Sequence, residues 1–171
     1  PEKKLTHEVL FHWHEMLTRG RWDLTSIGHY RTHTEAMEIV SGSIGNPKVH
    51  YEAPPSKVMQ SEMNAFFDWY YHSAPMGVSH LPAITRAAIA HLYFVCIHPF
   101  EDGNGRIGRA IAIKSLSESL GYPALLSLSQ VMSKHKKEYY EALAGQNRNI
   151  EITPWLVYFA KAILDALAYT Q

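Results

Sequence analysis

The segment His98–Arg109 gathers groups that could do chemistry into twelve consecutive positions. It reads HPFEDGNGRIGR and contains one imidazole, two carboxylates, three glycines and two guanidiniums. An imidazole titrates near neutral pH and can take a proton, a carboxylate can hold a divalent cation, and guanidiniums bind phosphate. We call this segment the motif, and its composition predicts a site for an anionic, phosphate-bearing ligand.

The glycines and arginines of the motif predict how the anion is held. Without a Cβ, Gly103 and Gly105 let the backbone turn sharply at the start of the next helix and let a ligand come close. The first N–H groups of that helix have no partner within it, and such a helix end attracts anions. Arg106 and Arg109 are three residues apart, so they share one face of the helix and would hold a polyphosphate.

Asp102 and His98 add a cation site and a base. Asp102 would repel phosphate directly, so we expect it to hold a Mg²⁺ ion that bridges phosphate oxygens. His98, at the end of an apolar helix, is suited to take the proton of an attacking hydroxyl group. A structural role, such as His98 capping the helix, is the alternative for each residue taken singly.

Two other ligand sites are suggested by sequence patterns and disfavoured by their context. Residues 103–108 match the dinucleotide fingerprint G-x-G-x-x-G, but that fingerprint needs a preceding strand, and Ala83–Ala90 is rich in helix formers. His12 and His14 are two residues apart, so on a helix they point to different sides. We therefore predict neither a Rossmann fold nor a zinc site.

The elements around the motif are predicted to be mainly α-helical. Apolar residues at helical spacing, with capping and stop signals, indicate helices over His7–Leu17, from Pro54 onward, over Leu81–Ile97, Ile107–Leu120, Ser129–Leu143, and from Thr153 onward. The motif would then connect two buried helices. The fold class that we predict is a helical bundle around a central helix-loop-helix that carries the motif.

One β-hairpin is predicted between the first two helices. Met37–Val40 and Lys48–Glu52 alternate as strands do, and Ser41–Pro47 between them is rich in turn residues. An isolated hairpin is only marginally stable, so this one, at about residues 36–53, must lie on the helical body or wait for a partner strand. A simple connector is the alternative.

Length and composition limit the domain count and the class of partner. At 171 residues the chain fits one domain, residues 1–171, and its 16 basic and 16 acidic residues create no global field for nucleic acid or a membrane surface. The single Cys96 excludes an internal disulfide and suits the cytoplasm, and no apolar stretch is long enough to span a bilayer. Because the sequence begins at Pro1, we expect it to be a fragment of a longer protein.

The motif resembles the signature of the Fic domain family, H-P-F-x-[DE]-G-N-G-R-x-x-R, and matches it at every fixed position. Gly28–Arg31, the hairpin and Glu52–Pro55 resemble the flap region of that family, and Tyr139, Tyr140 and Asn147 resemble its nucleotide-pocket segment. The resemblance covers nearly the whole chain. It implies an α-helical enzyme that transfers AMP from ATP to a hydroxyl side chain of a target protein and releases pyrophosphate.

The resemblance also implies a role for each residue of the motif. His98 would deprotonate a Tyr, Thr or Ser hydroxyl of the target, and Phe100 would anchor the loop from below. Asp102 would coordinate Mg²⁺ on the α- and β-phosphates of ATP. The predicted catalytic residues are His98, Asn104 and Arg106.

ATP is expected to bind at the start of the helix that follows the motif glycines. The backbone of Gly103, Asn104 and Gly105 would form an anion hole. Arg106 would steady the leaving pyrophosphate, and Arg109 would meet the γ-phosphate. Three further residues are predicted to contact the adenine end: Tyr139, Tyr140 and Asn147.

The resemblance further implies two partners for this domain. The hairpin would align a target segment by adding a strand to it. Many family members also carry an inhibitory helix, Ser/Thr-x-x-x-Glu-Gly/Asn, whose glutamate pairs with the residue equivalent to Arg109. The nearest match here, Thr34 to Glu38, is followed by Ile39. We therefore expect an inhibitory helix upstream of Pro1, as in members with an additional N-terminal domain.

Three alternative functions are left open by the sequence. These are transfer from another nucleotide, removal of AMP from a modified target, and nucleotide binding by a regulatory module without catalysis. Gly105 favours nucleotidyl transfer, because the kinase-like branch of the family carries a larger residue there. His98 argues against a pure binding module, which has no use for a base. Neither the target nor a choice between monomer and homodimer follows from the sequence.

Overall fold

The computed structural model describes residues 4–43, 46–144 and 151–168, which form a mainly helical fold with one antiparallel hairpin. The elements in chain order are α1 (His7–Leu17), β1 (Glu38–Ser43), β2 (Asn46–Glu52), α2 (Met59–His72), α3 (Ala83–Ile97), α4 (Asn104–Leu120), α5 (Leu128–Lys134), α6 (Lys136–Ala144) and α7 (Thr153–Ala168). A short 3-10 turn, Ser56–Val58, leads into α2. Within the described ranges, no helix has the length and apolar character needed to cross a membrane.

Helices α3 and α4 form the centre of the fold, and the loop between them carries the first half of the motif. Gly108 lets the two helices approach closely, because a Cβ at this position would lie 3.0 Å from Val95 Cγ2 and 3.2 Å from His91 Nδ1. Trp155 of α7 donates a 2.8 Å hydrogen bond to the carbonyl of Ala88, which attaches α7 to α3. The motif is therefore positioned by the closely packed helices α3 and α4.

Two hydrophobic clusters lie against this central pair. The N-terminal cluster joins α1 and α2 to it and includes Leu10, Met63, Phe66, Phe94, Phe100 and Ile107. The C-terminal cluster joins α5, α6 and α7 to it and includes Val95, Leu116, Leu143, Trp155 and Phe159. Burying an aliphatic or phenyl side chain of this size contributes about 1.5–3 kcal/mol before entropy is deducted. Both clusters thus hold α3 and α4 in place from either side.

The hairpin pairs its strands in one antiparallel register. Glu38 lies opposite Glu52, and the register shifts between Ile39 and Val40, as at a β-bulge. The half-buried ring of Tyr51 packs against the C-terminal cluster. The hairpin therefore lies on the helical body, which was one of the two arrangements expected for it.

The strands are longer than predicted. β1 extends to Ser43 and β2 begins at Asn46, so both strands run into the segment that was predicted as a loop, and Gly42 lies opposite Pro47. Cross-strand pairing of the backbone outweighs the turn preference of the individual residues here. Proline is tolerated because the hairpin has only edge strands, where a missing N–H need not break a ladder.

The helices follow the predicted order, with corrections to several bounds. The helix predicted from Pro54 onward begins with the 3-10 turn at Ser56, and the one predicted over Leu81–Ile97 begins at Ala83. Helix α1 has the predicted bounds, and Thr6 caps it by accepting the Val9 N–H at 3.3 Å. Helix α4 begins at Asn104 instead of Ile107, because Gly103 at φ 85° provides the turn that starts it. The helix predicted over Ser129–Leu143 is divided at His135 into α5 and α6. Periodicity alone does not show such a break, since apolar spacing continues across it.

Candidate active site

His98 follows the last residue of α3, caps the C-terminus of that helix and has an unusual backbone conformation. Its φ and ψ are 52° and 57°, and among the described residues it is the only one other than glycine with positive φ. Its N–H donates to the carbonyl of Phe94 at 3.1 Å and so closes the helix. The left-handed conformation costs a residue with a Cβ about 1–2 kcal/mol, so surrounding contacts must hold it.

The imidazole of His98 is arranged as a base. Its Nδ1 lies 3.1 Å from the Val95 carbonyl, which can only accept, so Nδ1 carries the proton and Nε2 presents a lone pair. The pKa of His98 is lowered to about 4, mainly by burial and also by the positive charge of Arg31, although the bond to Val95 and the charge of Asp102 oppose this. The ring is therefore neutral at physiological pH.

The turn after His98 is fixed by a side chain that bonds back to it. Asn104, only 2% exposed, accepts the N–H of Phe100 at 2.9 Å and donates to the carbonyl of Phe100 at 2.7 Å. The ring of Phe100 is fully buried and stacks on His14 with a centroid distance of 4.2 Å. Asn104, predicted as catalytic, thus has its side chain directed into the loop, where it holds the backbone.

Helix α1 and the segment after it support the loop from outside. His14 is buried, accepts the Gly28 N–H at Nδ1 (3.1 Å) and lies with Nε2 3.2 Å from the carbonyl of Asp102, to which it donates. Glu101 accepts the N–H groups of Thr25 at 2.8 Å and Ser26 at 3.2 Å, and also the hydroxyl of Thr25. These contacts attach residues 14–28 to the loop.

Asp102 is the exposed acid of the site, with 39% of its side chain accessible. Its Oδ1 accepts the Gly103 N–H at 2.6 Å, and its Oδ2 lies 2.7 Å from Arg21 Nη1 and 3.3 Å from Arg106 Nη2. Burial alone would raise the pKa of Asp102, but the Gly103 N–H and the two guanidiniums outweigh it and lower the pKa. The Gly103 N–H, predicted to be part of the anion hole, is used by Asp102 instead.

The two motif arginines lie on α4 as predicted but in different surroundings. Arg106 is about half exposed and contacts Asp102. Arg109 is half-buried, and its Nε donates to the hydroxyl of Ser129 at 2.8 Å. Burial lowers the pKa of Arg109, and the nearby tyrosine hydroxyls oppose this. A guanidinium in this partly desolvated position would gain more than an exposed one from pairing with a phosphate.

The residues predicted at the adenine end are distributed differently. Tyr139 belongs to the C-terminal cluster, with its hydroxyl 3.3 Å from His91 Nε2, and the residue is 9% exposed. Tyr140 is half-buried, with a ring centroid 5.1 Å from that of Tyr139. Asn147 lies outside the described residues. The role of these residues toward adenine stays a prediction, and Tyr140 is the more accessible of the two tyrosines.

A metal ion would have one carboxylate to bind. The described part of the chain contains no group of three or more histidine, cysteine or acidic side chains arranged for a metal. Asp102 fits Mg²⁺ nonetheless, because its carboxylate is ionised and accessible, and Mg²⁺ is commonly held by one or two carboxylates together with substrate phosphates. Arg21 would have to share or leave Oδ2 when such an ion binds.

Three residues that contact the loop were missed by reasoning from the motif. Arg21 pairs with Asp102, His14 holds its carbonyl, and Arg31 donates to the carbonyl of His98 at 2.7 Å. They lie 81, 88 and 67 residues from these partners in the chain, so local spacing gives no signal for them. Arg31 was noticed only through the resemblance of Gly28–Arg31 to a flap region.

Comparison with known proteins agrees with the geometry. A sequence model described as the Fic/DOC family matches residues 4–116. A solved structure of a Fic family protein from Desulfovibrio desulfuricans G20 has a TM-score of 0.78 and 27% identity, over 96% of this chain and 46% of that one. The helical fold with its hairpin is therefore that of known Fic structures.

Two curated relatives carry the name protein adenylyltransferase. Protein adenylyltransferase Fic from Nematostella vectensis is 32% identical over 108 residues, which are 63% of this chain and 23% of that protein. Protein adenylyltransferase fic-1 from Caenorhabditis elegans is 29% identical over 137 residues, 78% of this chain and 25% of that protein. The chain thus matches about a quarter of the length of these relatives.

Proposed function

The chain belongs to the Fic/DOC family, and on that premise we propose that it is a protein adenylyltransferase that transfers AMP from ATP to a hydroxyl group of a target protein. The observation that carries the proposal is the state of His98. Its imidazole is neutral, has its proton on Nδ1, and lies one loop away from an acid and an arginine at the start of α4. A base placed beside an anion site fits transfer of a phosphate-bearing group.

The proposed reaction is an in-line displacement at the α-phosphorus of ATP. The target oxygen forms a bond to that phosphorus while the bond to the oxygen bridging the α- and β-phosphates breaks, which releases pyrophosphate. His98 Nε2 takes the proton of the hydroxyl, and Arg106 stabilises the negative charge on the departing pyrophosphate. Mg²⁺ held by Asp102 would neutralise phosphate charge and favour departure of the leaving group.

The pKa of His98 has a consequence for the order of events. With a pKa of about 4 before ATP binds, the ring is a weak base. The bound triphosphate brings several negative charges close to the ring, which favours the imidazolium. The pKa of His98 therefore rises toward physiological pH. General-base catalysis is most efficient when the pKa lies near the working pH. We therefore expect the base to gain strength only once the nucleotide is present.

The hairpin is proposed to dock the target. Within the described residues β1 pairs only with β2, so each strand has an edge to which no other strand is paired. A segment of the target could add to such an edge through backbone hydrogen bonds, which tolerate many sequences. Arg31 bonds to the carbonyl of Pro54, just after β2, and to that of His98, so the hairpin is anchored beside the base.

The experiment that tests this function uses ATP labelled on the α-phosphate. Incubation of the chain with labelled ATP and Mg²⁺, alone and with a cell lysate, should place label on the chain or on a lysate protein. His98→Ala should reduce labelling by about 100-fold to 10,000-fold, the contribution of a general base. His80→Ala changes an exposed histidine outside the motif and should label like the wild type.

Equal labelling by wild type and His98→Ala would overturn the mechanism. Two further assays separate the related reactions. Competition between labelled ATP and unlabelled GTP, CTP or UTP identifies the nucleotide donor. A target modified beforehand and then offered to the chain without ATP tests removal of AMP. ATP binding to the wild type without transfer to any protein would indicate a binding module.

A further inference from the structure

Arg31 is the most deeply buried cation near the motif, and its partners are unusual. Only 1% of its surface is exposed. Every partner that the structure gives its guanidinium within the described residues is neutral: the carbonyls of Ile97, His98 and Pro54 and the hydroxyl of Ser56. A buried guanidinium without a carboxylate is energetically costly, because desolvation penalises its charge. The question is therefore what its neutral partners do at this position.

The contacts of Arg31 converge on the backbone of the base. Its Nε donates to the carbonyl of His98 at 2.7 Å, and its Nη2 lies 3.4 Å from the carbonyl of Ile97. Its own backbone N–H donates to the carbonyl of Pro99 at 2.9 Å. Three consecutive carbonyls at the end of α3 are therefore directed to one residue.

The end of a helix explains how the charge is stabilised. The last carbonyls of an α-helix have no partner within the helix and carry partial negative charge. The guanidinium at this end satisfies carbonyls that would otherwise need water, and the helix dipole offsets part of its desolvation cost. The bond from Arg31 Nε fixes the direction of the His98 carbonyl and so restrains ψ, which helps to hold the left-handed backbone (φ 52°, ψ 57°) from which the side chain projects.

The other side of the guanidinium reaches the hairpin. Nη2 donates to the carbonyl of Pro54 at 2.6 Å, and Nη1 donates to the hydroxyl of Ser56 at 2.8 Å. Pro54 follows the end of β2 at Glu52, and Ser56 opens the turn into α2. One planar group thus joins the exit of the hairpin to the backbone of the base, and its fork geometry restricts both.

We propose that Arg31 is a positioning residue for the transferase reaction, which holds the left-handed His98 through its carbonyl and couples the base to the exit of the hairpin. This inference rests on the proposed function. Displacing a base by about 1 Å can cost about 100-fold in rate. Loss of the fork should therefore reduce kcat far more than it changes ATP binding, because Arg31 contacts neither the motif acid nor the motif arginines in the structure.

Two substitutions separate geometry from charge. Arg31→Lys keeps the positive charge and loses the fork, whereas Arg31→Gln loses both. We expect both variants to lose about 100-fold in kcat while the KM for ATP stays within about twofold. Ser56→Ala removes a single partner of the guanidinium and leaves the loop contacts in place, so it should lose less than about 100-fold in kcat. This variant provides the test if the Arg31 variants fold poorly.

The ring of His98 supplies a readout that does not depend on activity. The charged groups that act on it are Arg31 and Asp102. Nitrogen-15 NMR of the imidazole reports its tautomer and its titration in the chain without nucleotide. Arg31→Gln should move the titration of His98 to higher pH, because a positive charge that disfavours the imidazolium is removed. Arg31→Lys should move it less but disturb the Nδ1–H tautomer.

Arg19→Gln, at an exposed arginine on the segment after α1, is the control and should match the wild type in kcat and in the NMR titration. Folding of every variant is checked by thermal unfolding. Folded Arg31→Lys and Arg31→Gln that keep the wild-type kcat and the wild-type signals of His98 would overturn the proposal. If the wild type itself transfers no AMP, the proposed function fails, while the NMR titration still decides whether Arg31 positions the ring.

Discussion

The two ends of the motif loop are held by opposite means. At the His98 end, a buried guanidinium, an amide side chain and carbonyls form a network with almost no access to water. At the Asp102 end, three charged side chains meet at the surface, where Arg21 is 42% and Arg106 47% exposed. At the His98 end a buried guanidinium is therefore bonded to neutral groups, whereas at the Asp102 end charged side chains form ion pairs in solvent.

This difference separates what must be rigid from what must change. A base works only if its lone pair has one fixed direction, and buried hydrogen bonds, which are expensive to leave unmade, provide that. A cation site must exchange its partners when nucleotide and metal bind, and exposed ion pairs, each worth only about 0–1 kcal/mol, allow it. Substitutions at the buried end should thus be costly to the fold, and those at the exposed end should alter ligand binding.

The largest effect on stability is expected from Asn104→Ala. The substitution leaves the buried N–H and carbonyl of Phe100 without partners, at a cost of about 3 kcal/mol in the free energy of unfolding. Urea unfolding followed by circular dichroism measures it. Asn64→Ala, at an exposed residue that bonds to His7 at 2.9 Å, is the matched control and should cost less than about 1 kcal/mol. Similar losses from both variants would contradict the buried role of Asn104.

The pH dependence of stability should distinguish the two ends. The pKa of His98 is lowered to about 4 from an ordinary value of 6.5, so the unfolded chain binds the proton more readily. This contribution to stability is present above pH 6.5 and is lost as the pH falls toward 4, by up to about 1.4 kcal/mol per pH unit. The carboxylate of Asp102, with a pKa below its ordinary 3.8, gives up its contribution only under more acidic conditions.

Chemical unfolding at a series of pH values tests this separation. His98→Gln should flatten the curve between pH 4 and 6.5. Asp102→Asn should lower stability by a nearly constant amount across that window and keep its slope there, and its difference from the wild type should shrink only below about pH 4. Other histidines contribute to the wild-type curve, since burial also lowers the pKa values of His14 and His91. The comparison therefore rests on the difference between each variant and the wild type. A His98→Gln curve parallel to that of the wild type would show that the ring is not desolvated.

Two glycines that look alike in the sequence should also behave differently. At Gly103 the backbone has φ 85°, and an added Cβ would lie 2.7 Å from Leu17 Cδ2, so Gly103→Ala should cost about 2 kcal/mol in stability. At Gly105 the backbone is helical, and an added Cβ would lie 3.4 Å from Arg109 Nη1. Gly105→Ala should fold at least as well as the wild type, because alanine favours a helix by about 0.5–1 kcal/mol.

The measurement for Gly105→Ala is ATP binding by isothermal titration calorimetry. A methyl group at the start of α4 narrows the approach of the triphosphate to the first N–H groups, and we expect binding to weaken about tenfold. Thermal unfolding is the control that shows an intact fold. Unchanged ATP affinity in a stable Gly105→Ala variant would argue that the anion does not approach the backbone at this position.

The sequence was sufficient for the parts of the site that are local and insufficient for those that are not. The order of helices, the hairpin and the placement of Arg106 and Arg109 on one helix follow from periodicity and spacing, which act over a few residues. Arg21 and Arg31 reach the loop only when α1 and the residues that follow it have packed against the loop. No pattern near either residue shows that Arg31 is buried against the loop while Arg21 stays at the surface, because that difference arises from tertiary packing.

The exposed end yields the smallest change in stability and the clearest test of exchange. Arg21 is held by Asp23 through bonds of 2.7 and 2.6 Å, and it presents Nη1 to the Oδ2 of Asp102. Arg21→Gln should change the free energy of unfolding by less than about 0.5 kcal/mol, since the pairs are exposed. It should increase Mg²⁺ affinity about threefold, because one positive charge beside the carboxylate is removed.

Manganese binding followed by electron paramagnetic resonance, in the presence of a non-hydrolysable ATP analogue, measures this affinity directly. Arg19→Gln makes the same change of charge at an exposed arginine two residues earlier and should bind like the wild type if proximity to Asp102 is what matters. Weaker binding in Arg21→Gln would reverse the interpretation, since it would mean that the guanidinium orients the carboxylate for the ion instead of competing with it. In that case the exposed end would be as preorganised as the buried one, and solvent access would not be what separates them.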